Sequence, residues 1–184
     1  MELFRIDFIH AIVSKFENAE PGRTALMKLA YFAQELYRIP LGYHFTLYSY
    51  GPFDPAVLSD LDIAAGMLAV QVSVSYHGRG YGYRIKASPE WIRTSSVSKF
   101  DNQITQVVKQ FGHLKPSELE LLSTIIYVDH EAKDRDQSLP MSRLVDKTHD
   151  IKPHFPKPVI AEKANHLLND GLLSATKMTS VSAS

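Results

Sequence analysis

Apolar residues recur at helical spacing from the start of the chain. Leu3, Phe4, Phe8, Ile9, Ile12, Val13 and Phe16 share one stripe, which predicts a first amphipathic helix. Pro21-Gly22 breaks it. Thr24 is placed to cap a second helix with Leu26, Leu29, Phe32, Ala33 and Leu36 inside, and Pro40 ends that one. Tyr43 to Tyr50 alternates loosely and is rich in aromatics, which predicts a short strand. Asp54 suits an N-cap and Pro55 a first helical position, so a third helix is expected to about Ala65, with Gly66 as its exit. From Leu68 to Ala87 the period changes to two. Val70, Val72 and Val74 alternate with Gln71, Ser73 and Ser75, YHGRGYGY turns the chain, and Tyr83-Arg84-Ile85-Lys86 resumes the alternation. That predicts a β-hairpin.

After Ser88-Pro89 the pattern is helical almost throughout. Phe100, Ile104, Val107, Val108 and Phe111 form one stripe. Ser117 and Glu120 have capping-box spacing for a helix containing Leu119, Leu122, Ile125 and Ile126. A short helix is expected near Met141 to His149. KPHFPKP then turns the chain into a last helix that buries Ile160, Ala164, Leu167 and Leu168, and Gly171 before Leu172-Leu173 caps it.

The expected class is α+β, mainly α. Helix, helix, strand, helix, hairpin is the order of a winged helix-turn-helix, expected over residues 1–88 with the hairpin as its wing. A helical half at 89–174 would pack on it as one compact body, and 175–184 would form a flexible tail. In this scheme the YSYGPFDP corner sets the angle of the third helix: proline fixes φ, glycine permits a sharp turn, and Asp54 satisfies helix-start amides.

Composition narrows the function classes. The Lys and Arg residues equal the Asp and Glu residues in number, so the formal charge is zero, and no polycationic tail points to nucleic acid. The same balance holds within residues 1–87. The chain has no cysteine, which removes disulfides, thiolate catalysis and zinc-finger chemistry and fits a reducing cytoplasm. The start lacks the basic leader of a signal peptide, and no apolar run approaches a membrane span. A cytoplasmic location with no membrane partner is expected.

The stretch LMKLAYFAQELYRIPLGYHFTLYSYGPFDPAVLSDLD carries Lys28, Leu29, Tyr31, Gln34, Tyr50, Gly51, Pro52, Leu58, Asp60 and Leu61. This resembles the YwgA-like bacterial proteins and, more distantly, the Panacea domain of antitoxins. Both have a K-L-x-Y-x-x-Q-type helix, an aromatic strand, a Y-G-P turn and a Leu–Asp-rich helix. LELLSTIIYV and the closing K-P-x-F, helix and GLL also look YwgA-like. The resemblance spans most of the chain and is concentrated in Tyr50-Gly51-Pro52. It implies neutralisation of a toxin by binding it, brings no catalytic set, and casts Lys28, Gln34, Gly51 and Pro52 as structural. Lys28 is expected as an exposed cation or paired with a carboxylate near that corner.

Candidate sites follow from the charges. A DNA-recognition helix needs Arg, Lys, Asn or Gln towards base edges, whereas the third helix offers Asp54, Asp60 and Asp62, which phosphates would repel. The wing carries His77, Arg79, Arg84 and Lys86 among Tyr76, Tyr81 and Tyr83. An acidic helix beside a basic aromatic wing suits a protein partner, with Tyr50, Asp54, Asp60, Asp62, Tyr76, His77, Arg79, Tyr81 and Arg84 as its contacts. Hairpin tips are also Gly- and Tyr-rich when they merely turn and cover a core.

HGRGYG is followed by a strand, not by the helix a phosphate loop needs. Asp129, His130, Glu131, Asp134 and Asp136 could ligate a hard cation only by converging, and Lys133 and Arg135 interleave them as in a solvated loop. No metal, cofactor or catalytic set is expected. The expected function is an antitoxin or adaptor acting through protein–protein contacts, with a homodimer left open. The alternative is a winged-helix DNA-binding transcriptional regulator.

Overall fold

A computed structural model describes residues 2–17, 19–77, 80–135 and 138–175, the side chain of His77 excepted. Arg79, Asp136 and residues 176–184 of the expected tail lie outside the described residues. The elements in chain order are α1 (Glu2–Ser14), α2 (Arg23–Glu35), β1 (Thr46–Tyr48), β2 (Gly51–Phe53), α3 (Pro55–Gly66), β3 (Val70–His77), β4 (Gly80–Ala87), α4 (Ser95–Ser98), α5 (Asp101–Phe111), α6 (Pro116–Lys133), α7 (Met141–Ile151) and α8 (Lys157–Asn169). The protein is α+β and mainly helical. Its strands form two separate antiparallel hairpins, β1–β2 and β3–β4.

The described chain forms two compact units. The residues within 2–46 and 53–119 make the first; those within 47–52 and 120–175 make the second. This grouping differs from a division at residue 88. Helices α4 and α5 join the first unit because Ile104, Val107 and Phe111 bury their apolar stripe there, Phe111 stacking on Phe32 at 4.2 Å. In the second unit Leu121, Ile125 and Ile126 of α6, Leu144 of α7, and Ile160, Ala164 and Leu167 of α8 are buried.

In the first unit α1 is the central helix, not an amphipathic surface one. Every residue from Ile6 to Val13 is buried, Asp7 and His10 included. One loop supplies partners to both carboxylate oxygens of Asp7 and to Nε2 of His10, while His10 Nδ1 is buried without one. Asp7 accepts from Trp91 Nε1 at 2.8 Å, Thr94 N at 2.8 Å and Thr94 Oγ1 at 2.6 Å, while His10 Nε2 donates to the Ser88 carbonyl at 2.9 Å. One turn of α1 thereby fastens both ends of the 88–94 connection, as buried polar groups require.

Several local expectations are corrected. Gly22, not Thr24, is the N-cap of α2. The predicted strand over 43–50 is only Thr46–Tyr48, because the chain turns at Ser49-Tyr50 and returns as β2. Helix α3 runs through Gly66, and the left-handed residue that ends it is Leu68, at φ 61°. Ser117 lies inside α6; Glu118 bonds back to the Lys115 amide, and Glu120 is turned into the second unit. At the other end Gly171 does take φ 72° after α8, and the Leu172 amide returns to the Leu167 carbonyl.

Candidate partner-binding surface

The three carboxylates of the third helix do not share a surface. Asp54 caps α3: one oxygen accepts from Ala56 N at 2.8 Å and the other from His44 N at 2.6 Å, and the residue is buried. Asp60 is 3% exposed. Its Oδ2 lies 2.8 Å from Arg5 Nε and accepts from the Tyr43 hydroxyl at 2.9 Å. Burial, reinforced by the Asp60 charge, pushes the Tyr43 phenol far above its ordinary range. Only Asp62 faces solvent. Helical periodicity explains the split: position 60 shares the inner side with Val57, Leu61 and Ala64, while 62 turns outward with Ser59, Ile63 and Gly66.

The β3–β4 hairpin has two unlike faces. In the register Val70↔Ala87, Val72↔Ile85, Val74↔Tyr83 and Tyr76↔Tyr81, one face begins in the core at Val70 and Ile85 and runs outward without changing character. At its far end Val74 is half exposed, Tyr76 is 82% exposed and Tyr81 is 67% exposed, with Tyr81 edge-on to Tyr83. The other face pairs Gln71 with Lys86 and Ser73 with Arg84, both cations being exposed. Among the described residues of the cluster expected to be mixed, Arg84 and Lys86 therefore lie on the opposite side of the sheet from Tyr76, Tyr81 and Tyr83. His77 pairs with Gly80 in the backbone.

Arg23, which the sequence pattern did not single out, joins the hairpin to α3. Its guanidinium lies over the Tyr83 ring at 3.8 Å, and its Nη2 reaches Asp62 at 3.4 Å. A surface thus runs from Tyr76 and Tyr81 through Tyr83 and Arg23 to Asp62, Ile63 and Ser59. Its only signal in the sequence was an arginine just after a helix-breaking glycine.

The motif residues serve the backbone. Gln34 makes two hydrogen bonds to one residue: Oε1 accepts from Tyr43 N at 2.9 Å and Nε2 donates to Tyr43 O at 3.0 Å. Lys28 is 2% exposed, which removes the first of its two expected roles, the exposed cation. The turn at 49–52 is held within the second unit. Gly51, at φ 87°, lies so close to α6 that a Cβ would sit 3.0 Å from Thr124 Oγ1 and 3.1 Å from Ser123 Oγ. Lys152, from the KPHFPKP segment, donates to the Ser49 carbonyl and pairs with Glu120 at 2.8 Å. Lys152, which carried no signal in the motif, is thus a lysine at this corner. Pro52 is buried, and Tyr50 is left outside at 71% exposure.

On the polar side of the hairpin, a groove of about 1190 Å³ is lined by Arg84, Lys86, Arg93, Trp91, Glu17 and Glu20, among others. Among the described residues no three His, Asp or Glu side chains converge as metal ligands. Asp129 accepts from the Ser174 amide at 2.7 Å, and Glu131 pairs with Arg135 at 2.9 Å. No helix of the described residues is long and apolar enough to cross a membrane. No protein-family model matches the chain, and no curated protein matches it.

Proposed function

We propose that this chain is a non-enzymatic binding protein of the YwgA-like or Panacea-like kind, with a winged helix in its first unit, acting as an antitoxin or adaptor on a protein partner. The element order and the adjacency of α3 to the hairpin through Arg23 support the winged-helix reading. The observation that carries the function is the composition of the outer side of α3. Ser59, Asp62, Ile63 and Gly66 face solvent there, followed by exposed Met67 and Leu68. No Lys, Arg, Asn or Gln stands on that helix to read bases or meet phosphates. Beside it stand the exposed rings of Tyr76 and Tyr81, the residue type that anchors protein interfaces.

One observation favours the regulator reading. Asp54 and Asp60 are turned inward, so two of the three carboxylates set against DNA do not oppose it, and Arg84 and Lys86 project from the wing. A tagged pulldown from native host lysate, with and without nuclease, separates the two. The protein reading expects one stoichiometric protein that survives nuclease and is lost with Tyr76→Ala plus Tyr81→Ala. Recovery of nucleic acid that disappears with Arg84→Glu overturns it.

A further inference from the structure

The β3–β4 sheet ends at β3, and its ladder shows which main-chain groups point off that edge. The Ser88 amide donates to the Ala69 carbonyl at 2.9 Å, so 69↔88 is a hydrogen-bonded pair in the register. Pairing alternates along an antiparallel ladder. Gln71↔Lys86, Ser73↔Arg84 and Ser75↔Gly82 therefore bond inward, while Val72↔Ile85, Val74↔Tyr83 and Tyr76↔Tyr81 turn their amides and carbonyls outward on both strands.

The β4 side confirms the phase. The Ile85 amide leaves the hairpin to donate to the Pro21 carbonyl at 2.9 Å, and the Tyr83 carbonyl faces Gly22, where a Cβ would lie 3.0 Å away. The outer edge of β4 is thus occupied by Pro21-Gly22. On β3 the matching groups of Val72, Val74 and Tyr76 face an edge beyond which, among the described residues, the sheet has no strand.

Such an edge is a template for an added strand. The side chains on its two faces define what that strand carries. Next to Val72, Val74 and Tyr76 stands the apolar face, which leaves the core and ends exposed. Next to Gln71 and Ser73, with Lys86 and Arg84 one strand further, stands the polar face. Residues 70–87 contain Arg79, Arg84 and Lys86 and no Asp or Glu, and in the groove on the polar side Arg84, Lys86 and Arg93 outnumber Glu17 and Glu20, so the charge balance favours an acidic strand.

We propose that the partner binds by adding an extended segment, alternating apolar and acidic residues, to the open edge of β3. This rests on the protein-binding reading above and names its mode: main-chain bonds to Val72, Val74 and Tyr76, apolar side chains against the Val74–Tyr76 strip, and carboxylates towards Arg84 and Lys86.

The test uses the full chain and a short capped peptide alternating valine with glutamate. A control peptide has the same composition with its valines and glutamates in blocks. Amide hydrogen exchange is expected to slow at Val72, Val74 and Tyr76 when the alternating peptide is added, and the block peptide is expected to protect them less. Val74→Pro removes one outward donor and no ladder bond to β4; it is expected to weaken the peptide by about tenfold or more, the size of one good lost contact, with an unchanged melting curve. Should that variant melt early, the exchange pattern of the unmodified chain decides alone.

Equal binding of both peptides, or no protection at the three amides, overturns the proposal. Protection that rises with protein concentration and no peptide puts a second copy on the edge and overturns the stated occupant. A captured partner lost with Tyr76→Ala yet retained by Val74→Pro leaves the binding surface standing and sinks strand addition.

Discussion

The two hairpins are built from the same few residue types and work in opposite ways. YSYGP at the first turn and the Tyr–Gly segment at the tip of the second are both rich in tyrosine and glycine. In the first, the backbone does the work. Gly51 abuts Ser123 and Thr124, the Ser49 carbonyl accepts a hydrogen bond from Lys152, and the side chains of Tyr48 and Tyr50 are exposed. In the second, the side chains stand out: an apolar face that starts as core at Val70 and Ile85 outruns the body that buries it. The lesson is that a Tyr–Gly turn is positional when the glycine is buried, and a candidate for recognition when the tyrosines lie beyond the core.

The sharpest break of this contrast is expected from Lys152→Ala. It strips the Ser49 carbonyl of its donor and leaves Glu120 with only the longer contact to His154, at 3.7 Å, which costs about 3 kcal/mol when a buried pair loses one member; urea unfolding reads the loss. Gly51→Ala comes next, at about 2 kcal/mol, since it combines a positive φ with hydroxyl oxygens where the new methyl must go. A melting temperature equal to that of the unmodified chain would show that the first turn is not locked.

Leu68→Gly acts at the root of the second hairpin and in the other direction. Relieving a side chain at φ 61°, where Leu68 is already exposed, is expected to raise stability by about 1 kcal/mol in thermal melts. Acidification tests the same root through His10, which holds the Ser88 carbonyl. Burial keeps the folded imidazole below its ordinary value of 6.5, while the unfolded chain titrates at that value. The unfolded state therefore binds more protons between the two values, so His10's contribution is full above 6.5 and falls as the pH drops below it. His10→Gln is expected to flatten that fall in melts taken across the same range.

The smallest expected effect on stability belongs to Tyr76→Ser and Tyr81→Ser. Their side chains are mostly exposed, so unfolding should shift by no more than about 0.5 kcal/mol, while capture of a protein partner is lost. A clear drop in melting temperature would return both tyrosines to the role of core cover.

Local chemistry was legible from the order of residues. The switch from helical spacing to alternation at Leu68 to Ala87 located the β3–β4 hairpin, Asp54-Pro55 located the start of α3, and Gly171 located the end of α8, because periodicity and capping act over a few residues. What spacing cannot carry is the identity of a partner far along the chain. Asp60 was counted as surface because its helical side was read without knowing that Arg5 and Tyr43 wait inside, 55 and 17 residues away. Glu120 fitted a capping box locally, yet a buried lysine elsewhere in its unit takes it. Arg23 carried no motif at all, and it acquires its place from Tyr83 and Asp62 together.

The sequence by itself determined the α+β, mainly helical class, the succession of elements and the alternation that gives the second hairpin two unlike faces. Only the tertiary structure decided which carboxylates are interior, which lysine holds the Tyr50-Gly51-Pro52 turn, and which edge of the β3–β4 sheet stays open. The physical reason is range. Backbone preference and side-chain period are set by near neighbours, whereas burial, ion pairing and edge pairing depend on groups that meet only when the chain has folded.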